Sequence, residues 1–426
     1  MSIAVLFILF FALLVIGAPI AIALGASTFI ALVSFTPISP IEISSMIFEK
    51  IEHYSLMAIP MFILAGNLLS KGSSATRIIE FAKSIVGHLP GGLPISAIFA
   101  SIIFAAVSGS SPATVVAIGS IMFGAIVQDG YPKKYAVGTI ATAGSLGILI
   151  PPSIVLIVFG VTAEVSIGKL FMAGVVPGIM IGLMLMVVTY IGAVRLGFKR
   201  TQPQPFKIRL RKMREASWGL MTIVVVIGGI YGGIFTPTEA AAVAAMWAFF
   251  ISVFVYKDIK VSDFFDIALG SAKTTAMIMF IIANAMLFAH FLTMENVPQL
   301  ITQTLVDWNV DMIMFLIFVN ILLVIAGAFM EPSAIIMIMV PLLLPVAVAL
   351  GIDPIHFGIM ITINMELGMV SPPVGLNLFV TSSLTGMPMK DVVVATLPWT
   401  ATIFVGLMLV TYIPEISLWL PNLMYG

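Results

Sequence analysis

Apolar positions along this chain run on without recurring at a fixed period. Residues 135–163 form 29 consecutive positions, and residues 89–128 form 40, without one charged side chain. A helix needs about 20 apolar residues to cross a bilayer, whereas the strands of a membrane barrel alternate apolar and polar positions. The pattern therefore predicts an all-α polytopic membrane protein. The opening run, MSIAVLFILFFALLVIGAP, lacks the basic segment of a signal peptide and is read as a first retained span. Two segments, 41–51 and 76–89, mix charged and apolar residues in the manner of helices lying along the interface.

Several of these runs are broken from within. In GSLGILIPPS, Pro151 and Pro152 cannot donate backbone hydrogen bonds, so the chain must open where hydrocarbon would surround it. Such an opening is tolerated only where protein or water satisfies the backbone. The breaks recur: Pro19 and Pro237 are 218 residues apart, Pro112 and Pro332 are 220, and both Pro151 with Pro372 and Pro177 with Pro398 are 221. A nearly constant offset predicts two copies of one unit, at 1–195 and 215–426. Each copy would carry scaffold helices, a re-entrant hairpin (around 94–128 and 312–350) and a discontinuous helix (around 135–164 and 355–386). The first hairpin region could also be two full crossings joined by an external polar turn. In the second copy the turn is GAFMEPS, whose polar groups are Glu331 and Ser333, which suits a tip buried in protein.

Composition narrows the function. The chain is 61% hydrophobic and 9% charged, against roughly a quarter charged in a soluble domain, so no independent soluble domain is expected. With zero formal net charge and no basic tract interleaved with exposed aromatics, nucleic-acid binding is not expected. There is no cysteine, and the four histidines show no ligand spacing, so no cofactor is expected. A membrane-embedded enzyme or respiratory-complex subunit would need a convergent acid, base or metal set, and none is visible. Eight of the 19 Lys and Arg residues fall within 195–214, which places that loop, the divider at 196–214, on the cytoplasmic side. Duplicated units with paired broken helices point to a secondary transporter that binds its cargo near the midplane. Half-helix N-termini there attract anions, and freed carbonyls attract cations. Thr236-Pro237-Thr238-Glu239 has the form of a helix-capping box.

LPISAIFASIIFAAVSGSSPATVVAIG, GYPKKYAVGTIATAGSLGILIPPS, IYGGIFTPTEAAAVAA and GMVSPPVGLNLFV together resemble the large, DctM-type membrane subunit of tripartite ATP-independent periplasmic (TRAP) transporters. The resemblance covers essentially the whole chain. It implies a multi-pass protein of the bacterial inner membrane with inverted repeats and a sodium-driven elevator mechanism. It also implies a small DctQ-type membrane partner and a periplasmic substrate-binding protein that delivers an organic acid. Overall likeness is greatest to the sialic acid (N-acetylneuraminate) importers, with C4-dicarboxylate permeases and stand-alone sodium/dicarboxylate symporters as alternatives.

On that reading the sodium sites follow the breaks. The first is expected at Ser108, Gly109, Ser110 and Ser111 facing Gly144, Ser145, Gly147 and Ile148. The second is expected at Gly327 and Glu331 facing Glu366, Gly368 and Ser371. Hard oxygens suit sodium, although small residues also simply let helices approach. Pro112, Pro151, Pro152, Pro332, Pro372 and Pro373 make the breaks. Ser108 and Ser153, which match Ala328 and Val374 in the second copy, are the candidates for the substrate carboxylate, unless they bond back to their own helices. Glu331 could be a sodium ligand or a helix cap, and Asn377 could face the ions or a neighbouring helix.

Overall fold

The structure is a computed structural model that describes residues 2–308 and 310–425. Helix makes up 82% of the chain, and no strand occurs among the described residues. Nine of the described helices are long and apolar enough to cross a membrane. The protein is an all-α polytopic membrane protein.

Helix order follows the proline and glycine punctuation. The chain turns sharply at Gly109 and Ser110 between helices Gly92–Ser108 and Ser111–Gln128. Helices Lys133–Ser145 and Ile154–Thr162 flank the Pro-Pro break, and the long helix Ile167–Arg195 follows. The same series returns as Met312–Phe329, Pro332–Ala349, Pro354–Met369, Leu376–Thr385 and Met389–Tyr412. Each of these helices begins 220 to 222 residues after its counterpart. The peptide bonds Pro151–Pro152 and Pro372–Pro373 are both cis.

Two bounds differ from the sequence reading. The basic divider is irregular only as far as Pro205; helix Phe206–Tyr231 then begins inside it, so Arg211 and Lys212 lie on the helix and pair with Glu215 at 2.9 and 3.2 Å. Lys and Arg are good helix formers, and the proline just before the helix sets its first turn. The second difference separates the two halves of the chain. Helix Val261–Met294 is continuous over 34 residues, whereas the matching stretch of the first half is divided into Pro40–Ile51 and Ala58–Lys71.

Packing explains the alanine-rich string after Pro237. Ala240, Ala241, Ala244, Ala245 and Ala248 form a buried face on helix Pro237–Phe250, which packs along Ala58–Lys71. Small side chains allow that close approach. The Thr236 box is present: Thr236 Oγ1 accepts from the Glu239 N–H at 3.3 Å, and Glu239 Oε2 accepts from the Thr236 N–H at 2.8 Å. Asn67 Nδ2 donates to Ser271 Oγ at 2.8 Å, and Asp258 accepts from the Ser73 N–H at 2.8 Å, so both halves contribute to this outer layer. Of the two amphipathic segments, Ser74–Val86 buries Ala75, Ile78, Ile79 and Ala82 on one face, and Pro40–Ile51 is largely exposed. Inside lie the hairpins and broken helices. Ile167–Arg195 and Met389–Tyr412 pack antiparallel: Trp399 Nε1 donates to Thr189 Oγ1 at 2.8 Å, while Gly406 lies against Ile181.

Candidate functional site

Each hairpin tip closes on the break of its own half. In the first half, Gly109 adopts φ +59, a left-handed conformation that glycine takes readily and that ends helix Gly92–Ser108. Its carbonyl accepts from the Ile154 N–H at 3.4 Å, and a Cβ at Gly109 would fall 2.7 Å from the Pro152 carbonyl oxygen. A Cβ at Gly147 would fall 2.6 Å from the Ser110 carbonyl. Glycine is therefore required where the tip and the unwound segment cross. In the second half, the Val374 and Gly375 N–H groups both donate to the Ala328 carbonyl at 3.2 Å. Gly327 and Gly368 meet so closely that a Cβ on Gly368 would lie 2.6 Å from Gly327. These bonds satisfy the backbone groups that the prolines free. The first tip is largely buried in the protein, whereas at the second Gly327, Ala328 and Pro332 are buried and Phe329 is exposed.

The two tip-and-break units are joined to each other. Ser145 Oγ donates to Glu366 Oε1 at 2.9 Å, and these residues occupy equivalent positions, 221 apart, in the two halves. Asn377 Nδ2 donates to Ser111 Oγ at 2.7 Å. Pro112, Pro151, Pro152, Pro332, Pro372 and Pro373 thus gather around one joint.

The predicted site residues divide accordingly. Gly109 meets the break at Pro152 and Ser153, and Ser110 and Ser111 meet it at Gly147, whereas Ser108 faces Thr114 and Gly66; a Cβ on Gly144 would strike Val115 on the second arm of the same hairpin. Gly327 and Gly368 meet, and Ser371 donates back to the Leu367 carbonyl at 2.7 Å. Glu331 caps helix Pro332–Ala349: one carboxylate oxygen accepts from the Ala334 N–H at 3.2 Å and the other from Ser333 Oγ at 2.9 Å. Glu366 leaves the expected second cluster. Gly327 abuts the face of helix Pro354–Met369 that carries Asn364 and Gly368, so Glu366, two residues from each, points toward Ser145. The Ser108 hydroxyl pairs with Thr114 Oγ1 at 2.8 Å. Ser153 donates to the Ile148 carbonyl and caps the next half-helix by accepting from the Leu156 N–H at 3.3 Å. In this closed arrangement both hydroxyls are engaged within the protein.

Sequence reasoning missed Thr114 and Gly66. Thr114 sits six residues beyond Ser108 on the other arm, a placement visible only once the turn is known. A Cβ on Gly66 would lie 3.1 Å from the Ser108 carbonyl, so the first tip rests against helix Ala58–Lys71. Chain position gives no hint of that approach.

Buried acceptor oxygens remain, two at the joint and a third, that of Asn364, on the opposite face of helix Pro354–Met369 toward Asn320. Glu366 Oε2, Asn364 Oδ1 and Asn377 Oδ1 have no hydrogen-bond partner in the protein, and all three residues are fully buried. Hard, unpaired carbonyl and carboxylate oxygens are the donor set that a small cation takes.

A family model described as "Tripartite ATP-independent periplasmic transporter, DctM component" matches residues 7–416. The chain belongs to the DctM family of TRAP transporters. It is 52% identical to the C4-dicarboxylate TRAP transporter large permease protein DctM of Pseudomonas aeruginosa, over 94% of each chain. It is 48% identical to the protein of the same description in Vibrio cholerae, over 100% of this chain and 99% of that one. Similarity to the sialic acid TRAP transporter large permease protein SiaM of Vibrio cholerae is lower, 35% over 88% of each chain. The expected kinship with sialic acid importers is thereby corrected: the C4-dicarboxylate alternative fits the relatives better. Among solved structures, the Alcanivorax borkumensis YdaH transporter shares the fold at a TM-score of 0.65 and 13% identity, over 91% of each chain.

As a DctM-family member this chain is the large permease of a TRAP transporter, a multi-pass bacterial inner-membrane protein and not an enzyme. The family works with a small membrane subunit and a periplasmic binding protein.

Proposed function

We propose that the chain carries C4-dicarboxylates inward, driven by sodium, after a periplasmic binding protein of its own system delivers them and with a DctQ-type subunit beside it. The observation that carries the substrate class is the gap between 48–52% identity to C4-dicarboxylate permeases and 35% to a sialic acid permease. Two short carboxylates suit a joint where half-helix N-termini and hydroxyls converge, because N–H groups and a positive dipole end favour anions.

Sodium coupling is supported by the unpaired buried oxygens of Glu366, Asn364 and Asn377. In this proposal the two halves are inverted repeats. Counterpart helices begin at a nearly constant offset, the pair Ile167–Arg195 and Met389–Tyr412 runs antiparallel, and the equivalent residues Ser145 and Glu366 bond to each other. The inner hairpins and broken helices move as one body against the outer layer built around Ala58–Lys71 and Pro237–Phe250, an elevator. Ser108 and Ser153 exchange their internal bonds for a substrate carboxylate when a tip lifts from its break.

Uptake into proteoliposomes containing the permease, its small subunit and its binding protein tests this directly. Labelled succinate should accumulate only with an inward sodium gradient, and N-acetylneuraminate should neither accumulate nor compete. Accumulation of N-acetylneuraminate, or succinate uptake indifferent to sodium, would refute the substrate or the coupling respectively.

A further inference from the structure

A groove runs along the antiparallel pair Ile167–Arg195 and Met389–Tyr412, on the outside of the inner body. It is built from two cavities, of about 590 and 550 Å³, that share Val188 as a wall. From Met180 to Arg195 it extends about 22 Å along the helix, enough for one leaflet of a hydrocarbon core roughly 30 Å thick.

The two ends of the groove differ. Deep in the span its walls are Leu183, Val187 and Val405, each half-exposed, with nothing charged among them. The polar groups that line it are satisfied inward. Trp399 Nε1 donates to Thr189 Oγ1, the Tyr135 hydroxyl donates to the Thr189 carbonyl, and Thr402 donates to the Pro398 carbonyl. What they present to the groove is carbon, which an acyl chain matches and a polar solute does not. At the other end stand Lys134 and Arg195, on the same side as the basic divider. Lys134 pairs with Asp391 at 3.1 Å and keeps donors to spare; Arg195 is exposed and has no ion-pair or hydrogen-bond partner among the described residues.

We propose that this groove is a binding site for one anionic phospholipid of the cytoplasmic leaflet, with its phosphate on Arg195 and Lys134 and an acyl chain along Val188 toward Met180. The charge at the mouth selects the head group, since a basic pocket between spans on the cytoplasmic side favours acidic lipids. An unlined apolar slot alone would take any lipid tail. Aromatic side chains at the mouth, Tyr135 and Trp399, sit where the interface is expected. Because both groove-forming helices pack against the hairpins and broken helices proposed to move, a lipid in the groove would sit beside the moving body, and the acidic-lipid content of the membrane would set how readily it moves. That last consequence rests on the transport reading; the binding site does not.

The test is native mass spectrometry of the permease purified with its associated subunits, titrated with phosphatidylglycerol or with phosphatidylcholine of identical chains. Phosphatidylglycerol should bind at roughly tenfold lower concentration than phosphatidylcholine. Lys134→Ala/Arg195→Ala should erase that preference, whereas Lys199→Ala/Arg200→Ala, which removes equal charge from the divider just outside the groove, should keep it. Val188→Trp should block binding with the charges intact. Arg195→Ala alone, at an exposed unpaired residue, covers the case in which the double variant does not fold. Equal binding of the two lipids, an unaltered preference in the groove variants, or a helix of the small subunit cross-linking to position 188 would overturn the assignment. The readout involves no uptake, so a transporter of another substrate would leave it standing.

Discussion

The two Pro-Pro breaks have one backbone plan in two environments. Around Pro151 and Pro152 every residue from Leu146 to Ser153 is buried, and Ser153 has no exposed surface. Around Pro372 and Pro373 the chain comes out: both prolines and Val374 are exposed, the last at 47%. The tips differ in the same sense. The first is lined by hydroxyls, Ser108, Ser110, Ser111 and Thr114, and is pressed against helix Ala58–Lys71; the second is apolar apart from the Glu331 cap and the Ser333 hydroxyl bonded to it. The lesson is that proline and glycine specify where a membrane helix opens, while the side chains around the opening specify what it can hold. In this structure the first break, which holds the proposed substrate hydroxyls, is covered, and the second is exposed.

The largest effects should come from the glycines that let the tips reach the breaks. Gly147→Ala and Gly368→Ala each place a methyl 2.6 Å from backbone that cannot yield. Both should abolish uptake and lower stability by about 1–3 kcal/mol, the range for overpacking, whereas Gly124→Ala, with nothing within 4 Å, should match the wild type. Uptake and thermal denaturation read both. A tolerated Gly368→Ala beside a damaging Gly147→Ala would mean that only the first tip must close.

Next come the hydroxyls. Ser108→Ala or Ser153→Ala should cut succinate uptake roughly tenfold, the equivalent of about 1.4 kcal/mol, while expression is retained. Ser371→Ala, whose hydroxyl only bonds back to its own helix, should change it less than about twofold. Equal losses at all three would erase the difference between the halves.

The two buried acids sharpen the comparison further. Glu366→Gln keeps an acceptor for Ser145 but replaces the carboxyl at the joint with an amide, and should raise the sodium concentration for half-maximal uptake by about tenfold. Glu331→Gln still caps its helix through the amide oxygen and should shift that concentration by less than about threefold. The reverse order would make Glu331 the sodium ligand. Smallest of all, Thr236→Ala should cost about 1 kcal/mol of stability through the lost cap and leave uptake per folded molecule unchanged.

Much of this architecture was legible in the sequence because its signals are local. A missing proline N–H and the conformational freedom of glycine act within a few residues, so the hairpin turns, the breaks and the Thr236 box fall close to where the sequence puts them. What joins them is not local. Ser145 meets Glu366 across 221 residues and Asn377 meets Ser111 across 266, and no periodicity encodes either contact. Glu366 was therefore expected beside Gly327 and Gly368, when the helix turns it the other way. The beginning of a helix inside the basic divider was hidden because charge reads as solvent exposure whether or not the backbone is helical. Kinship within the family was misread for a different reason: the quoted motifs report break geometry, whereas identity along the full chain is what ranks the C4-dicarboxylate relatives above the sialic acid one.

The chain contains no cysteine, so one introduced thiol reports without background. Single variants Ser153→Cys and Val374→Cys, treated in intact membranes with a water-soluble maleimide, test the covered and exposed breaks side by side. The account predicts rapid labelling at 374, slowed by sodium together with succinate, and far slower labelling at 153, which is reached only when the first tip lifts. Equal labelling at the two positions, or labelling at 374 that ignores both ligands, would contradict it.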